Sequence, residues 1–146
     1  MEKSLNLKVK FMDEFGLVEQ DIRTYSPLTL AYIGDAIFEL VVRTVLVERK
    51  NTQPEKLHKA ATKVVKAETQ ALMIEAIKES LTPEEMSAYK RGRNAKAVTR
   101  AKNASMSDYR KATGFEALMG YLYLKGDMAR MIELIHLGAE KAEVTL

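Results

Sequence analysis

The stretch LTLAYIGDAIFELVVRTVLV, from Leu28 to Val47, predicts one long, mostly buried helix with an acid, Asp35, near its middle. Ser26 supplies an N-cap oxygen and Pro27 stands where a missing N–H costs nothing, so the helix has a defined start. Its apolar side chains recur at helical spacing. They are Leu30, Ile33, Ile37, Leu40, Val41 and Val45, with Ala31, Ala36 and Val42 widening the face.

Both residues of the Gly-Asp pair inside this helix lower its stability unless other groups compensate. A buried carboxylate lowers stability unless it is paired or holds a metal. Gly34 costs roughly 1 kcal/mol relative to alanine in a helix interior, so we expect another element to approach the backbone closely there. From periodicity alone, a solvated Asp35 on the wet side of the helix is about as well supported as a buried one that is paired or holds a metal.

A second stretch, DYRKATGFEALMGYLYLK from Asp108 to Lys125, repeats the pattern. It predicts another mostly apolar helix, with Glu116 in its middle and Gly120 one turn further on. Two such helices could pack closely and bring both acids to one point. Converging oxygen ligands suit a hard divalent cation such as Mg²⁺. Without a metal the two carboxylates would repel each other, and the pKa of at least one would rise.

Both stretches resemble one protein family. YIGDAIFEL at 32–40 resembles the ribonuclease III signature, and TGFEALMGYLYL at 113–124 resembles that family's second metal-binding helix. The motifs stand in the right order at about the right separation, and the resemblance runs from Ser26 to the end of the chain. It implies an all-α helical bundle, a ribonuclease III-type endonuclease domain over residues 26–146, and a two-fold homodimer.

The resemblance carries over only part of the family's acidic site. Ordinary members have further acids where this chain has Ala31 and Thr113, so only Asp35 and Glu116 carry over as catalytic and metal-binding residues. This reduced set, with RGRNAK at 91–96, resembles the Mini-ribonuclease III branch, which lacks a double-stranded RNA-binding domain. The chain ends soon after the second helix, and we expect no such domain here.

The resemblance also implies the reaction. It points to Mg²⁺, with Mn²⁺ as a substitute, and waters are the simplest way to fill the positions left without acids. Glu39, one turn after Asp35, is a candidate outer-shell acid, although a solvated or ion-paired side chain is favoured there. The predicted activity is hydrolysis of double-stranded RNA to 5′-phosphate and 3′-hydroxyl ends, with a precursor stem of 23S ribosomal RNA as the natural substrate.

The predicted homodimer would place two sites on opposite RNA strands. We expect exposed apolar residues of the first helix, such as Phe38 and Val42, to supply part of its interface. The loss of two family acids supports an alternative, a non-catalytic RNA-binding or ribosome-associated protein on the same fold. An all-α dimerisation module without an RNA role is a third reading.

A basic stretch supports an RNA partner. Residues 86–107 contain no Asp or Glu, a composition expected of a surface that lies along phosphates. Composition alone favours a solvated basic loop, and the family resemblance shifts the prediction to RNA binding. The residues expected to contact RNA are Lys90, Arg91, Arg93, Asn94, Lys96, Arg100 and Lys102.

Composition sets the wider limits. The 146 residues suit one domain, and 47% hydrophobic with 29% charged residues is typical of a soluble globular protein. The chain has no cysteine, which excludes disulfides and thiolate metal sites. No signal peptide or membrane-spanning run is apparent, so we expect a cytoplasmic protein with no membrane partner and no small-molecule cofactor. His58 and His136 are assigned no role.

The remaining segments yield local predictions. Residues 1–25 are expected to form a loosely attached arm, in which LNLKVKF alternates like a short strand and VEQDIRTYS suits a helical turn. Residues 57–77 suit one long helix or two end to end. Capping boxes are expected at Thr52 with Glu55 and at Thr82 with Glu85, the second starting a helix that ends before Gly92.

The last third of the chain holds three further boundaries. Ser107 or Asp108 is expected to cap the second acidic helix, and Gly126 to end it. Asp127 is expected to start a last helix that runs to about Glu143. Its predicted inward side chains are Met128, Met131, Ile132, Ile135 and Leu137.

Overall fold

The computed structural model describes residues 6–95 and 105–146, which form seven α-helices joined by short turns and no strand. The all-α prediction is therefore confirmed. The helices are α1 Leu7–Phe15, α2 Pro27–Arg49, α3 Pro54–Val65, α4 Ala67–Ile77, α5 Pro83–Asn94, α6 Met106–Lys125 and α7 Met128–Lys141. Within the described ranges, no helix is long and apolar enough to cross a membrane.

Helix α6 lies at the centre and packs against α2, α4, α5 and α7. Ten of its side chains or backbone positions are buried, because small and apolar residues cover most of its circumference. Against α2 the core is closed by Phe38 and Phe115, whose rings meet edge to face with centroids 5.2 Å apart. Helix α2 begins as predicted, since the Ser26 hydroxyl accepts from the Thr29 N–H at 3.1 Å and Pro27 follows it.

The N-terminal segment is helical, and the predicted strand is wrong. Asn6 caps α1 by accepting from the Lys8 N–H at 2.9 Å, and Gly16 ends it in the left-handed conformation. These two caps define a helix that the alternating apolar residues did not indicate. The first turn contacts the end of α6, because the Asn6 amide donates to the Gly126 carbonyl and Lys8 to the Leu124 carbonyl. The predicted helical turn is confirmed as a 3₁₀ helix at Ile22–Thr24.

The region after α2 forms two helices, one of the two predicted arrangements. Helices α3 and α4 are separated by Lys66, which takes an extended ψ of 155°. The capping box at Thr52 is wrong: Gln53 precedes the first turn of α3, and it makes no side-chain capping bond. Pro54 at the first position fixes the start instead.

The capping box at the start of α5 is confirmed. Thr82 Oγ1 accepts from the Glu85 N–H at 3.1 Å, and Glu85 Oε1 accepts from the Thr82 N–H at 2.9 Å. Glu85 is buried, and Arg130 of α7 donates to both its carboxylate oxygens at 2.8 and 2.9 Å. This paired, buried charge joins α5 to α7.

Three predicted features of the later helices need correction. Helix α5 continues through Gly92 to Asn94, because that glycine packs against Ala117 of α6 instead of ending the helix. Helix α6 starts earlier than predicted, with Ser105 as its cap. Gly126 ends α6 and Asp127 caps α7 as predicted. However, Ile132 does not face inward, since 47% of it is exposed.

Candidate functional site

Helices α2 and α6 are in backbone contact at two glycines. A Cβ atom on Gly34 would lie 1.7 Å from the Glu116 carbonyl oxygen, and one on Gly120 would lie 1.9 Å from the Leu30 carbonyl oxygen. Neither position has space for any side chain. The close approach predicted at Gly34 is confirmed, and it brings the residue beside it, Asp35, up to α6.

The two predicted acids meet at this crossing. Asp35 and Glu116 lie within hydrogen-bonding distance of each other, Asp35 exposed and Glu116 partly buried. Burial, and after it the negative charge of Asp35, raises the pKa of Glu116 from its usual 4.5 to about 8. Burial and the Glu39 charge also raise the pKa of Asp35, while its hydrogen bond with Glu116 lowers it. Both directions agree with the rise in pKa expected for two neighbouring carboxylates without a metal, with burial as the larger cause.

Gln70 of α4 supports the buried acid. Its Nε2 donates to Glu116 Oε2 at 3.2 Å and to the Val65 carbonyl at 2.7 Å. Only 2% of Gln70 is exposed, and its Oε1 has no hydrogen-bond partner among the described residues. A neutral amide thus contacts Glu116 without neutralising its charge.

Glu39 lies near the acids and has a partner of its own. Arg43 donates to Glu39 Oε1 at 2.9 Å, one turn along α2. The ion-paired alternative for Glu39 therefore describes its contacts. Its negative charge nevertheless raises the pKa of both Asp35 and Glu116. Across residues 6–95 and 105–146, no three His, Cys, Asp or Glu side chains gather closely enough to form a metal cluster.

The donor set fits a hard divalent cation. Two carboxylates lie close together, and burial together with the negative charge of neighbouring acids raises the pKa of each. Mg²⁺ is commonly bound through one or two carboxylates and keeps several waters, so a third acid is not required. Asp35 and Glu116 are the residues that could hold such an ion.

Two of the predicted RNA-binding residues, Arg93 and Asn94, lie at the junction of α5 and α6. Arg93 and Asn94 line a cleft of about 280 Å³ together with Arg110 and Lys111 at the start of α6. Arg93 lies over the Tyr89 ring, 5.5 Å from its centroid, and this contact holds the guanidinium at the edge of the cleft.

The other predicted RNA-binding residues are only partly placed. Lys90 and Arg91 are exposed on α5, and Arg91 donates to the Tyr25 carbonyl at 3.3 Å. The remaining predicted contacts, Lys96, Arg100 and Lys102, lie outside the described residues.

Comparison with known proteins identifies the family. The ribonuclease III domain family matches residues 28–127 of this chain. The chain belongs to the ribonuclease III family. The sequence-based prediction of a ribonuclease III-type endoribonuclease is confirmed.

Similar proteins carry the name of the predicted branch. Mini-ribonuclease 3 of Clostridium tetani is 48% identical, the alignment covering 82% of this chain and 80% of that protein. Mini-ribonuclease 3 of a Thermoanaerobacter strain is 41% identical over 98% of this chain and 99% of that one. A crystal structure of a Fusobacterium nucleatum protein superposes with a TM-score of 0.75 at 31% identity, covering 84% of this chain and 98% of that chain.

The sequence resemblance places acids of ordinary ribonuclease III members at two positions of this chain. The side chains that stand there are packed in the interior. Ala31 and Thr113 are 6% and 8% exposed. The Thr113 hydroxyl donates to the Tyr109 carbonyl at 3.0 Å, one turn back along α6. Their side chains therefore serve packing in this ribonuclease III domain, and neither brings a carboxylate to the site.

The prediction that Phe38 and Val42 lie exposed at a dimer interface is wrong. Phe38 and Val42 are fully buried in the core, because this side of α2 faces α6 and not solvent. Four exposed apolar residues of α2 follow a different line, four residues apart. This exposed stripe is Leu28, Tyr32, Ala36 and Leu40.

Sequence reasoning missed three residues of the site region. Gln70 is an amide within the otherwise apolar run QALMI of α4, and that composition was its only signal. Arg110 and Lys111 come after Asp108, which ends the acid-free stretch, so the charge pattern did not include them. They reach the cleft because α6 starts beside the end of α5.

Proposed function

We propose that this ribonuclease III-family chain hydrolyses phosphodiester bonds of double-stranded RNA with Asp35 and Glu116 as its metal-binding catalytic residues, leaving 5′-phosphate and 3′-hydroxyl ends. The observation that carries the proposal is the contact of these two acids, both with raised pKa values, at the crossing of α2 and α6. Bound there, Mg²⁺ or Mn²⁺ would supply Lewis acidity to the scissile phosphate and to the attacking water.

Some residues of the proposed site supply negative charge, and others hold the acids in position. Asp35 is exposed, so it can face a phosphate that approaches from solvent. Glu116 is held in place by Gln70 and by the backbone contact at Gly34. Glu39 adds negative charge near both acids and is proposed to act through the waters around the cation.

The basic cleft is proposed to hold the RNA backbone beside the acids. Arg110 precedes Glu116 on the same helix by six residues, about 9 Å along the axis and about 120° around it, so a duplex contacting both would have to span this side of α6. Cations on Arg93 and Arg110 would contact phosphates and release counterions, and Lys111, which pairs with Glu75 at 3.0 Å, lies beside them. Duplex RNA shows its shape, phosphates and 2′-hydroxyls more readily than its base sequence. The resemblance to Mini-ribonuclease 3 supports a 23S ribosomal RNA precursor stem as substrate.

A homodimer is proposed to pair two such sites. The exposed stripe of α2 is apolar, includes the most exposed aromatic side chain of that helix, Tyr32 at 81%, and runs beside Asp35. A second copy packed there about a two-fold axis would bury the stripe and set the two acid pairs on opposite RNA strands. The family resemblance supports the same arrangement.

The deciding experiment compares the wild type with Asp35→Asn and Glu116→Gln on a long RNA duplex with and without Mg²⁺. Glu48→Gln, which removes an exposed carboxylate from the far end of α2, is the matched control. We expect the wild type and the control to cut only with the metal. The two site variants should bind the duplex but fail to cut it.

A non-catalytic duplex-binding protein is the second candidate. The packing of Ala31 and Thr113, without carboxylates, is the observation that favours it. If the wild type bound duplex RNA in a salt-sensitive manner and cut it with neither Mg²⁺ nor Mn²⁺, this candidate would replace the enzyme. A dimerisation module would show no salt-sensitive duplex binding.

A further inference from the structure

Gln70 stands at an unusual place in the fold. It lies in the first turn of α4, immediately after the break at Lys66, and is 2% exposed. The break leaves carbonyl groups at the end of α3 without helical partners. Two adjacent side chains donate hydrogen bonds to these carbonyls. Thr69 Oγ1 donates to the Lys63 carbonyl at 2.6 Å, and Gln70 Nε2 donates to the Val65 carbonyl at 2.7 Å.

The hydrogen bonds fix which way the Gln70 amide faces. The Val65 carbonyl can only accept, so the atom facing it is the nitrogen. The same nitrogen donates its second hydrogen to Glu116 Oε2 at 3.2 Å. Both amide hydrogens are thereby used, by one backbone atom and one carboxylate.

The Gln70 amide is not arranged for stability alone. Oε1 is buried and has no partner among the described residues, an arrangement that lowers the stability of the fold. An apolar side chain of the same size would bury no unpaired amide oxygen, although it would leave the Val65 carbonyl without this donor. Of the two hydrogen bonds that the amide donates, the one to Val65 pairs a backbone carbonyl and the one to Glu116 reaches the proposed metal site.

The charge of the donor is also suited to a metal site. A lysine or arginine in this place would neutralise Glu116 and compete with a bound cation, and an acid would add to the repulsion between Asp35 and Glu116. An uncharged N–H donor orients the carboxylate and leaves the negative charge of the pair for a cation.

We propose that Gln70 is a positioning residue, whose amide fixes the Glu116 carboxylate for the divalent cation and ties it to the α3–α4 break. This inference rests on the proposed function, in which Asp35 and Glu116 hold the cation. Removing a residue that orients a metal ligand lowers the affinity for the metal by about 10–100-fold. Gln70 is expected to act within that range.

The test is Mn²⁺ binding to the RNA-free protein, followed by electron paramagnetic resonance and calorimetry. Gln70→Met keeps the size of the side chain and removes its donors. Thr69→Val is the matched control, because it removes a carbonyl-pairing hydroxyl at the same break and leaves the Glu116 contact intact. We expect Q70M to bind Mn²⁺ about 10–100-fold more weakly than the wild type, and T69V to bind it as the wild type does.

Cleavage at graded Mg²⁺ concentrations gives a second readout. The Q70M variant should need a correspondingly higher Mg²⁺ concentration and recover when it is supplied, while duplex affinity without metal stays at the wild-type value. Thermal unfolding establishes that each variant is folded. If Q70M does not fold, Gln70→Asn, which shortens the same amide by one methylene, takes its place in the same comparison.

The outcomes separate this inference from the proposed function. Wild-type Mn²⁺ affinity in folded Q70M would overturn the role of Gln70, and so would an equal loss in T69V, which would trace the effect to the helix break. Glu116→Gln tests the site itself. If E116Q binds Mn²⁺ as tightly as the wild type, the metal site of the proposed function fails, whatever Q70M does.

Discussion

Gly34 of α2 touches the backbone of Glu116 in α6, so that a Cβ atom on the glycine would lie 1.7 Å from the Glu116 carbonyl oxygen. This contact is between two backbones, which cannot move aside as a flexible side chain can. It sets how near Asp35, the next residue in α2, comes to the Glu116 carboxylate. The spacing of the acids is therefore built into the helix crossing.

Gly34→Ala is predicted to lower the free energy of unfolding by about 3 kcal/mol, the upper part of the range for overpacked cores, because α2 must move away from α6. The better helix propensity of alanine, about 1 kcal/mol, offsets only part of this cost. Gly138→Ala is the matched control, since its Cβ would meet the Met73 Cβ at 3.3 Å, a tight contact that a shift of a few tenths of an ångström relieves. Urea unfolding measures both, and an unchanged stability of Gly34→Ala would contradict the close crossing.

The acids could be predicted from the sequence because each stands in a motif of contiguous residues. Asp35 follows Gly34 in an apolar helix, and Glu116 has Gly120 one turn after it. The contact of Gln70 with Glu116 could not be predicted from the sequence, because it joins positions 46 residues apart and depends on a helix break at Lys66. Local pattern carries no information about such a pairing.

The sides of α2 were assigned wrongly for a related reason. This helix is apolar around most of its circumference, so hydrophobicity did not distinguish the face that packs on α6 from the exposed one. Phe38 was expected at the surface and is buried, while Leu40 was expected in the core and is 49% exposed. The glycine at position 34 marks the packed face, and Phe38, one turn later, lies on that face.

The stability of the metal-free protein is predicted to fall as pH rises from about 4.5 to about 8. The pKa of Glu116 is about 8 in the folded protein and near 4.5 when the chain unfolds, mainly because folding buries the carboxyl group. In this window the folded state holds a proton that the unfolded state has released, so raising the pH favours unfolding.

Glu116→Gln is the comparison for this pH dependence. The variant has no proton to lose at position 116, so its stability should fall less over the same window. Urea unfolding of both proteins in a chelator, at several pH values, gives the difference in slope, which reports Glu116 together with Asp35, whose pKa depends on it. Parallel profiles would show that burial does not raise the Glu116 pKa.

Tyr32→Glu is predicted to dissociate the proposed homodimer. Tyr32 is 81% exposed in the single chain and stands within the exposed stripe, so it would be buried in a two-fold interface. Loss of a central aromatic anchor costs about 2 kcal/mol or more, so the dissociation constant should rise about 30-fold or more. Sedimentation equilibrium measures it. Ile132→Glu, an equal change at an exposed apolar residue of α7, should leave the constant unchanged, and the same loss in both variants would argue against this interface.

Arg110→Gln is predicted to weaken binding of duplex RNA and to reduce its salt dependence. Arg110 is exposed and lines the cleft between α5 and α6, where a phosphate contact would release counterions. Each lost phosphate contact should lower the slope of log affinity against log salt concentration by about 1. Lys141→Gln, which removes an exposed cation from the end of α7, is the control and should keep the wild-type slope. Fluorescence anisotropy in a chelator, where no cleavage is expected, measures both slopes, and equal slopes for Arg110→Gln and the wild type would remove this cleft from the RNA-binding surface.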